Sequence, residues 1–125
     1  MSVASYRQLK VWQSGVQLVK SVYVLSRDFP QSELYGLTSQ MRRAAVSIPA
    51  NIAEGHARDS TKEFLHHISI ALGSLAELET MFILAQELGY SDAVAIATLL
   101  QYSDEEGRML HGLQRTLKSK LNPNP

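Results

Sequence analysis

The stretch that decides the fold runs from Ser60 to Ala85, STKEFLHHISIALGSLAELETMFILA. Within it Phe64, Ile68, Ala71, Leu75, Leu78, Phe82 and Ala85 alternate at spacings of four and three. That period lays one unbroken apolar stripe along a helix. It favours left-handed packing at shallow crossing angles, the geometry of a four-helix bundle. Ser60 and Glu63 have the spacing of a capping box, hydroxyl to backbone N–H in one direction and carboxylate in the other, which marks the helix start. Gly73 falls inside this helix, where its missing side chain is expected to permit close approach of another helix.

Outward from this segment, proline and glycine divide the chain at Pro30, at Gly55–Ser60 and at Gly89–Ser91. The first segment carries two neighbouring apolar seams. One is Leu9, Trp12, Val16, Val19 and Tyr23; the other is Val11, Leu18, Val22, Leu25 and Phe29. Two seams imply a broad buried face. The fourth helix is expected to start with Ser91 as N-cap and to continue through Ala93, Ile96, Leu100, Leu110, Leu117 and Leu121, with Lys118 and Lys120 suiting the negative end of its dipole. The second helix starts between Ser32 and Thr38 and has Leu37, Met41, Ala44, Ala45, Ile48 and Ile52 on one face. Pro49 interrupts its hydrogen bonding and predicts a kink near Ala45–Pro49. No β-like alternation competes. The expectation is an all-α, antiparallel up-and-down four-helix bundle with a proline-kinked second helix, a single domain over residues 1–125 with a frayed tail at about 122–125.

Composition narrows the chemistry. The 125 residues are 45% hydrophobic and 19% charged, ordinary for a globular domain, and they include no cysteine, which removes disulfides, thiolate zinc sites and cysteine nucleophiles. Aromatics at 7% argue against an aromatic-rich reader of single strands. Twelve Lys+Arg balance twelve Asp+Glu, yet the charges are segregated. Residues 1–62 carry eight basic and four acidic side chains, residues 63–107 eight acidic and no Lys or Arg, and residues 108–125 four basic and no acidic. The plain reading is mutual neutralisation within the bundle or between subunits. The sharper one is a basic surface for an anionic partner, concentrated at Arg42, Arg43, Arg58 and Lys62 and diluted by Glu54 and Asp59. No apolar run reaches the roughly 20 residues of a membrane span. The expected location is cytoplasmic, with no membrane partner.

Catalytic signatures are wanting. Glu63-x-x-His66, followed by His67, has the spacing of one half of a bundle di-iron site, but no second Glu-x-x-His exists, and Glu106 stands five residues from His111. Neither a metal nor a cofactor is expected. There is no phosphate loop, no dinucleotide fingerprint and no strand-to-helix serine elbow. Glu77 and Glu79, two apart, point to different helix faces. The chain reads as no enzyme, short of a site assembled between subunits. Gln40, Arg43, Ser47, Asn51, Glu54 and Arg58 form a polar stripe along the second helix. They are expected to serve structure, mending the backbone groups freed by Pro49 or bridging to a neighbouring helix.

The stretch Tyr35–Gly55, YGLTSQMRRAAVSIPANIAEG, closely resembles the central signature of the four-helix-bundle proteins first noted as reading frames in 23S rRNA intervening sequences. Val11-Trp12-Gln13, Phe29-Pro30 and the run ALGSLAELE at Ala71–Glu79 look like the same family's other landmarks, so the likeness spans about Leu9 to Tyr90. It makes Ser47, Pro49, Asn51 and Glu54 the structural signature of the second helix. The family looks related to the accessory protein of diversity-generating retroelements, a pentameric barrel whose basic surface binds nucleic acid. The resemblance therefore implies a homopentamer and an association with RNA or another nucleic acid, although a net charge of zero departs from so basic a relative. Self-assembly also agrees with the two seams of the first helix and with Leu65, Leu72 and Met81 beside the main seam of the third. The alternative is a protein-interaction scaffold with no nucleic-acid role, whose acidic helices meet a basic partner.

Overall fold

The computed structural model describes residues 5–122, among which four α-helices and two short 3-10 turns account for the regular structure. Helix α1 is Lys10–Ser26, α2 is Leu37–Ala57, α3 is Thr61–Glu87 and α4 is Ala93–Leu121. Each packs against its neighbours in sequence, and α1 also meets α4, so the ring closes, while the diagonal pairs make no close backbone approach. Short connections between consecutive neighbours give the up-and-down bundle expected from the α3 stripe. Of the frayed tail anticipated at the C-terminus, Asn122 caps α4 and residues 123–125 lie outside the described residues.

The helix ends follow local chemistry. At α3, Ser60 Oγ accepts from Glu63 N at 3.2 Å, one arm of the capping box, while the Glu63 carboxylate turns to Arg58 at 3.6 Å. The same helix ends on Gly89 at φ 76°, with Gly89 N bonded to Gln86 O and Tyr90 N to Ala85 O. Such a left-handed position is one that glycine adopts without steric cost. The cap of α4 corrects the expectation: Asp92, not Ser91, is the N-cap, its Oδ1 accepting from Ala95 N at 2.8 Å. Gly36 precedes α2, whose free Leu37 N–H is satisfied by Glu33 Oε1 at 3.0 Å. Glu33 Oε2 accepts from Tyr90 Oη at 2.8 Å, tying the α1–α2 connection to the end of α3.

The core stripe of α3 is buried from Ile68 through Ala71, Leu75, Leu78 and Phe82 to Ala85, while Phe64 at its start packs only partly on the core. An 18-residue window of this helix, of mean hydropathy 1.6, is long and apolar enough to cross a membrane, where the sequence showed only short unbroken apolar runs; 39% of that window is buried in the bundle. On α1 only one seam is buried: Val11, Gly15, Leu18, Val22 and Ser26, continued by Phe29. Leu9, Trp12 and Val19 pack partly against the core, and Tyr23 is exposed. On α4 the inner position is Leu99 rather than Leu100, and Leu121 is exposed.

Helix α2 runs without interruption through Pro49, which is buried. A Cβ added at Gly15 would stand 3.5 Å from Pro49 Cβ, so the proline is a contact point between α1 and α2. Gly73 corrects the expectation of close helix approach. It is exposed, and a Cβ there would meet nothing within 4 Å. Close approach of α3 to α2 is admitted instead by Gly55, where a Cβ would come 2.7 Å from His67 Cβ and 2.9 Å from Phe64 Cδ1.

Candidate functional site

The polar stripe of α2 becomes a bridge to α3. Asn51 Nδ2 donates to Ser47 O at 2.8 Å and to Ser47 Oγ at 3.0 Å, while Asn51 Oδ1 stands 2.9 Å from His67 Nδ1. Ser74 Oγ donates to Ser47 Oγ at 2.9 Å, and His67 Nε2 lies 3.6 Å from Glu54 Oε2. The hydrogen bonds of Asn51 therefore go to Ser47 and His67, not to Ala45, whose carbonyl loses a donor to Pro49. Half-buried groups linked in a chain hold two helices in one register, because moving either leaves polar atoms unpaired. Ser47, Asn51 and Glu54 thus share one structural network with His67 and Ser74. Neither α3 residue carried a functional role in the sequence reading, since only the fold sets them opposite α2.

The four basic residues singled out above separate into two pairs. Arg42 and Arg43 lie in the first half of α2, whereas Arg58 and Lys62 flank the α2–α3 turn, about 22 Å further along at 1.5 Å per residue. Arg58 is drawn into ion pairs with Glu54 at 3.2 Å and Glu63 at 3.6 Å. Lys62 is exposed. Glu63 faces Arg58, and no group of three metal-ligating side chains occurs among the described residues.

Arg42 is held differently. Its Nε donates to Ser26 Oγ at 2.9 Å and its guanidinium lies 4.6 Å from the centre of the Tyr23 ring, a cation–π contact across the α1–α2 boundary. Around it opens a groove of about 610 Å³ lined by Tyr23, Tyr35, Ser39, Arg42, Arg43 and Val46 among others, with no carboxylate in its lining. Tyr35 is 93% exposed. A cation positioned by its own helix partners, a second arginine and two phenol rings thus share one open surface.

Two buried groups escaped the sequence reading. Ser103 and Glu106 lie on the inner count of α4, both completely buried, and Ser103 Oγ and both Glu106 carboxylate oxygens have no hydrogen-bond partner among the described residues. A Cβ on Gly15 would stand 3.0 Å from Glu106 Oε2, which places the carboxyl against α1 in the bundle interior. Burial pushes its pKa up to about 7; the Ser14 hydroxyl opposes that rise without reaching hydrogen-bond geometry. The signal was present in α4 itself: the count Ile96, Leu99, Ser103, Glu106, Leu110 keeps the three-four period.

Apolar surface remains outside these sites, on the first seam of α1 at Tyr23 as the sequence suggested but not at the residues named beside the α3 seam. Met81 is buried and Leu65 and Leu72 pack partly on the core. The exposed residues include Ile83, Leu84 and Leu88 near the end of α3 and Val94 at the start of α4.

The model of the family described as 23S rRNA-intervening sequence protein matches residues 7–112. No curated protein matches the chain significantly.

Proposed function

We propose, on the premise that this chain belongs to the 23S rRNA-intervening sequence protein family, that it is a non-enzymatic, self-associating helical bundle of the cytoplasm whose α1–α2 face contacts RNA. The observation that carries the reading is the Arg42–Tyr23 stack, set beside Arg43 and the exposed Tyr35 in a groove without carboxylates. Arginines there neutralise phosphates, and phenol rings offer faces on which unpaired bases stack. Because Ser26 and Tyr23 already hold Arg42, little side-chain freedom is lost on contact. Assembly buries the apolar end formed by Ile83, Leu84, Leu88 and Val94, and the family resemblance supplies a pentamer as the expected stoichiometry.

Binding is expected to be weak and local, since the whole chain carries no net charge. Two phosphate contacts to a single strand give a salt slope of about −1.4, so raising salt fourfold weakens affinity about sevenfold. Fluorescence anisotropy with a labelled single-stranded RNA measures this. Arg42→Glu with Arg43→Glu abolishes binding, whereas Arg58→Glu with Lys62→Glu changes it little. Absence of binding at low salt would select the scaffold reading instead.

A further inference from the structure

The groove between α3 and α4 is used by neither the RNA-facing surface nor the α2–α3 network. It measures about 560 Å³, within the roughly 300–1,000 Å³ of ligand clefts. Gly73, Ala76 and Gly107 line it with small side chains, and a Cβ on Gly73 would meet nothing within 4 Å. Glu79 of α3 and Asp104 of α4 face this space. Burial, and then the negative charge of Asp104, hold the Glu79 carboxyl above its ordinary range. Neither carboxylate has an ion-pair partner among the described residues.

A second observation is independent of charge. Ser103 is among the residues of the same groove, and its completely buried Oγ has no hydrogen-bond partner among the described residues. Hydroxyls on these helices ordinarily bond to the carbonyl four residues back, as Thr80, Thr98 and Thr116 do. Two acceptor carboxylates therefore converge from two helices on an open space whose wall holds an unspent hydroxyl. The surrounding segment, residues 63–107, contributes no Lys or Arg of its own. Arg108 and His111 also line the groove; Arg108 stands four residues beyond Asp104 on the same helix without pairing to it.

We propose that this groove binds the guanidinium of an arginine side chain carried by a basic segment of a partner protein, with Glu79 and Asp104 accepting its N–H groups above the wall that holds the unspent Ser103 hydroxyl. Arginine fits better than lysine because its planar fork presents five donors in fixed directions, enough to bridge carboxylates on separate helices and reach the groove wall. An ammonium is a compact, strongly hydrated charge that gives up its water less readily. The two carboxylates offer at most four oxygens, few for a hard divalent cation, which seeks six or more. The site stands apart from the RNA reading and neither requires nor excludes it.

The test uses the full chain and two labelled peptides at low salt, one alternating arginine with glycine and one alternating lysine with glycine. The arginine peptide is expected to bind at least tenfold tighter. Glu79→Gln with Asp104→Asn should weaken it more than tenfold while thermal melting does not fall, because two mutually repelling charges are removed. Gly73→Leu keeps every charge but fills the groove, and it should weaken the peptide as well. Equal affinity for the two peptides, no affinity for either, or binding that survives the double variant or Gly73→Leu would each overturn the proposal. So would a salt-sensitive increase in the mass of the protein alone that the double variant abolishes, since the occupant would then be a second copy. RNA binding measured on the same variants should be unchanged, which separates failure here from failure of the RNA face.

Discussion

Glu106→Gln should stabilise the protein at alkaline pH and leave it little changed in acid. The carboxyl is fully buried, its oxygens are unpartnered, and its pKa rises from 4.5 to about 7 through loss of solvation. Below the unfolded value both states hold the proton and the group is neutral in its effect. As pH rises from about 4.5 the unfolded carboxyl ionises while the folded one stays protonated, so stability falls, and the fall is complete once pH passes about 7. At about 1.4 kcal/mol per pH unit the loss reaches about 3 kcal/mol. That is a large fraction of the roughly 5–15 kcal/mol by which domains are stable. Glutamine keeps the shape and the burial of a polar group but cannot ionise, so its constant cost cancels when two pH values are compared. Urea unfolding followed by circular dichroism at about pH 4 and about pH 8 reads the difference between variant and parent. The variant's advantage should grow by about 3 kcal/mol between them. A difference that stays flat with pH, or a parent that gains on the variant in alkali, would refute the burial of an unpaired carboxylate at this position.

Other perturbations follow from the same contacts. Asn51→Leu removes the bonds to Ser47 and His67; it should cost about 1–3 kcal/mol and lower the melting temperature with helix content retained, and an unchanged melt would contradict the bridging role. Gly55→Ala forces a Cβ to within 2.7 Å of His67 Cβ and should destabilise by about 1–3 kcal/mol. Gly73→Ala, in open space on a helix surface, should instead stabilise by up to about 1 kcal/mol in the same urea titration. Sedimentation at micromolar concentration should report an assembly near five chains that Leu84→Glu with Leu88→Glu dissociates; a monomeric parent would remove self-association from the proposed function.

What the sequence determined by itself was the set of interactions that reach only a few residues along the chain. The three-four stripe of α3, the Ser60 cap and the break at Gly89 are all short-range, so residue type and spacing suffice to place them. The break before α4 was legible too, while its cap slipped by one residue because Ser91 and Asp92 are both capable and backbone geometry chose between them. Periodicity says which residues share a face but not what that face meets. Gly73 and Gly55 look alike in sequence, yet only Gly55 lies where α2 and α3 touch. Arg42, Arg43, Arg58 and Lys62 read as one basic cluster, but helix length carries the pairs apart, and Glu54 and Glu63 claim Arg58. Ser103 and Glu106 fall on the inward count of α4, where residue type argued for solvent and packing overruled it. Tertiary structure decided these points because burial, electrostatics and close approach depend on which four helix faces meet, and those faces come from residues far apart in the chain.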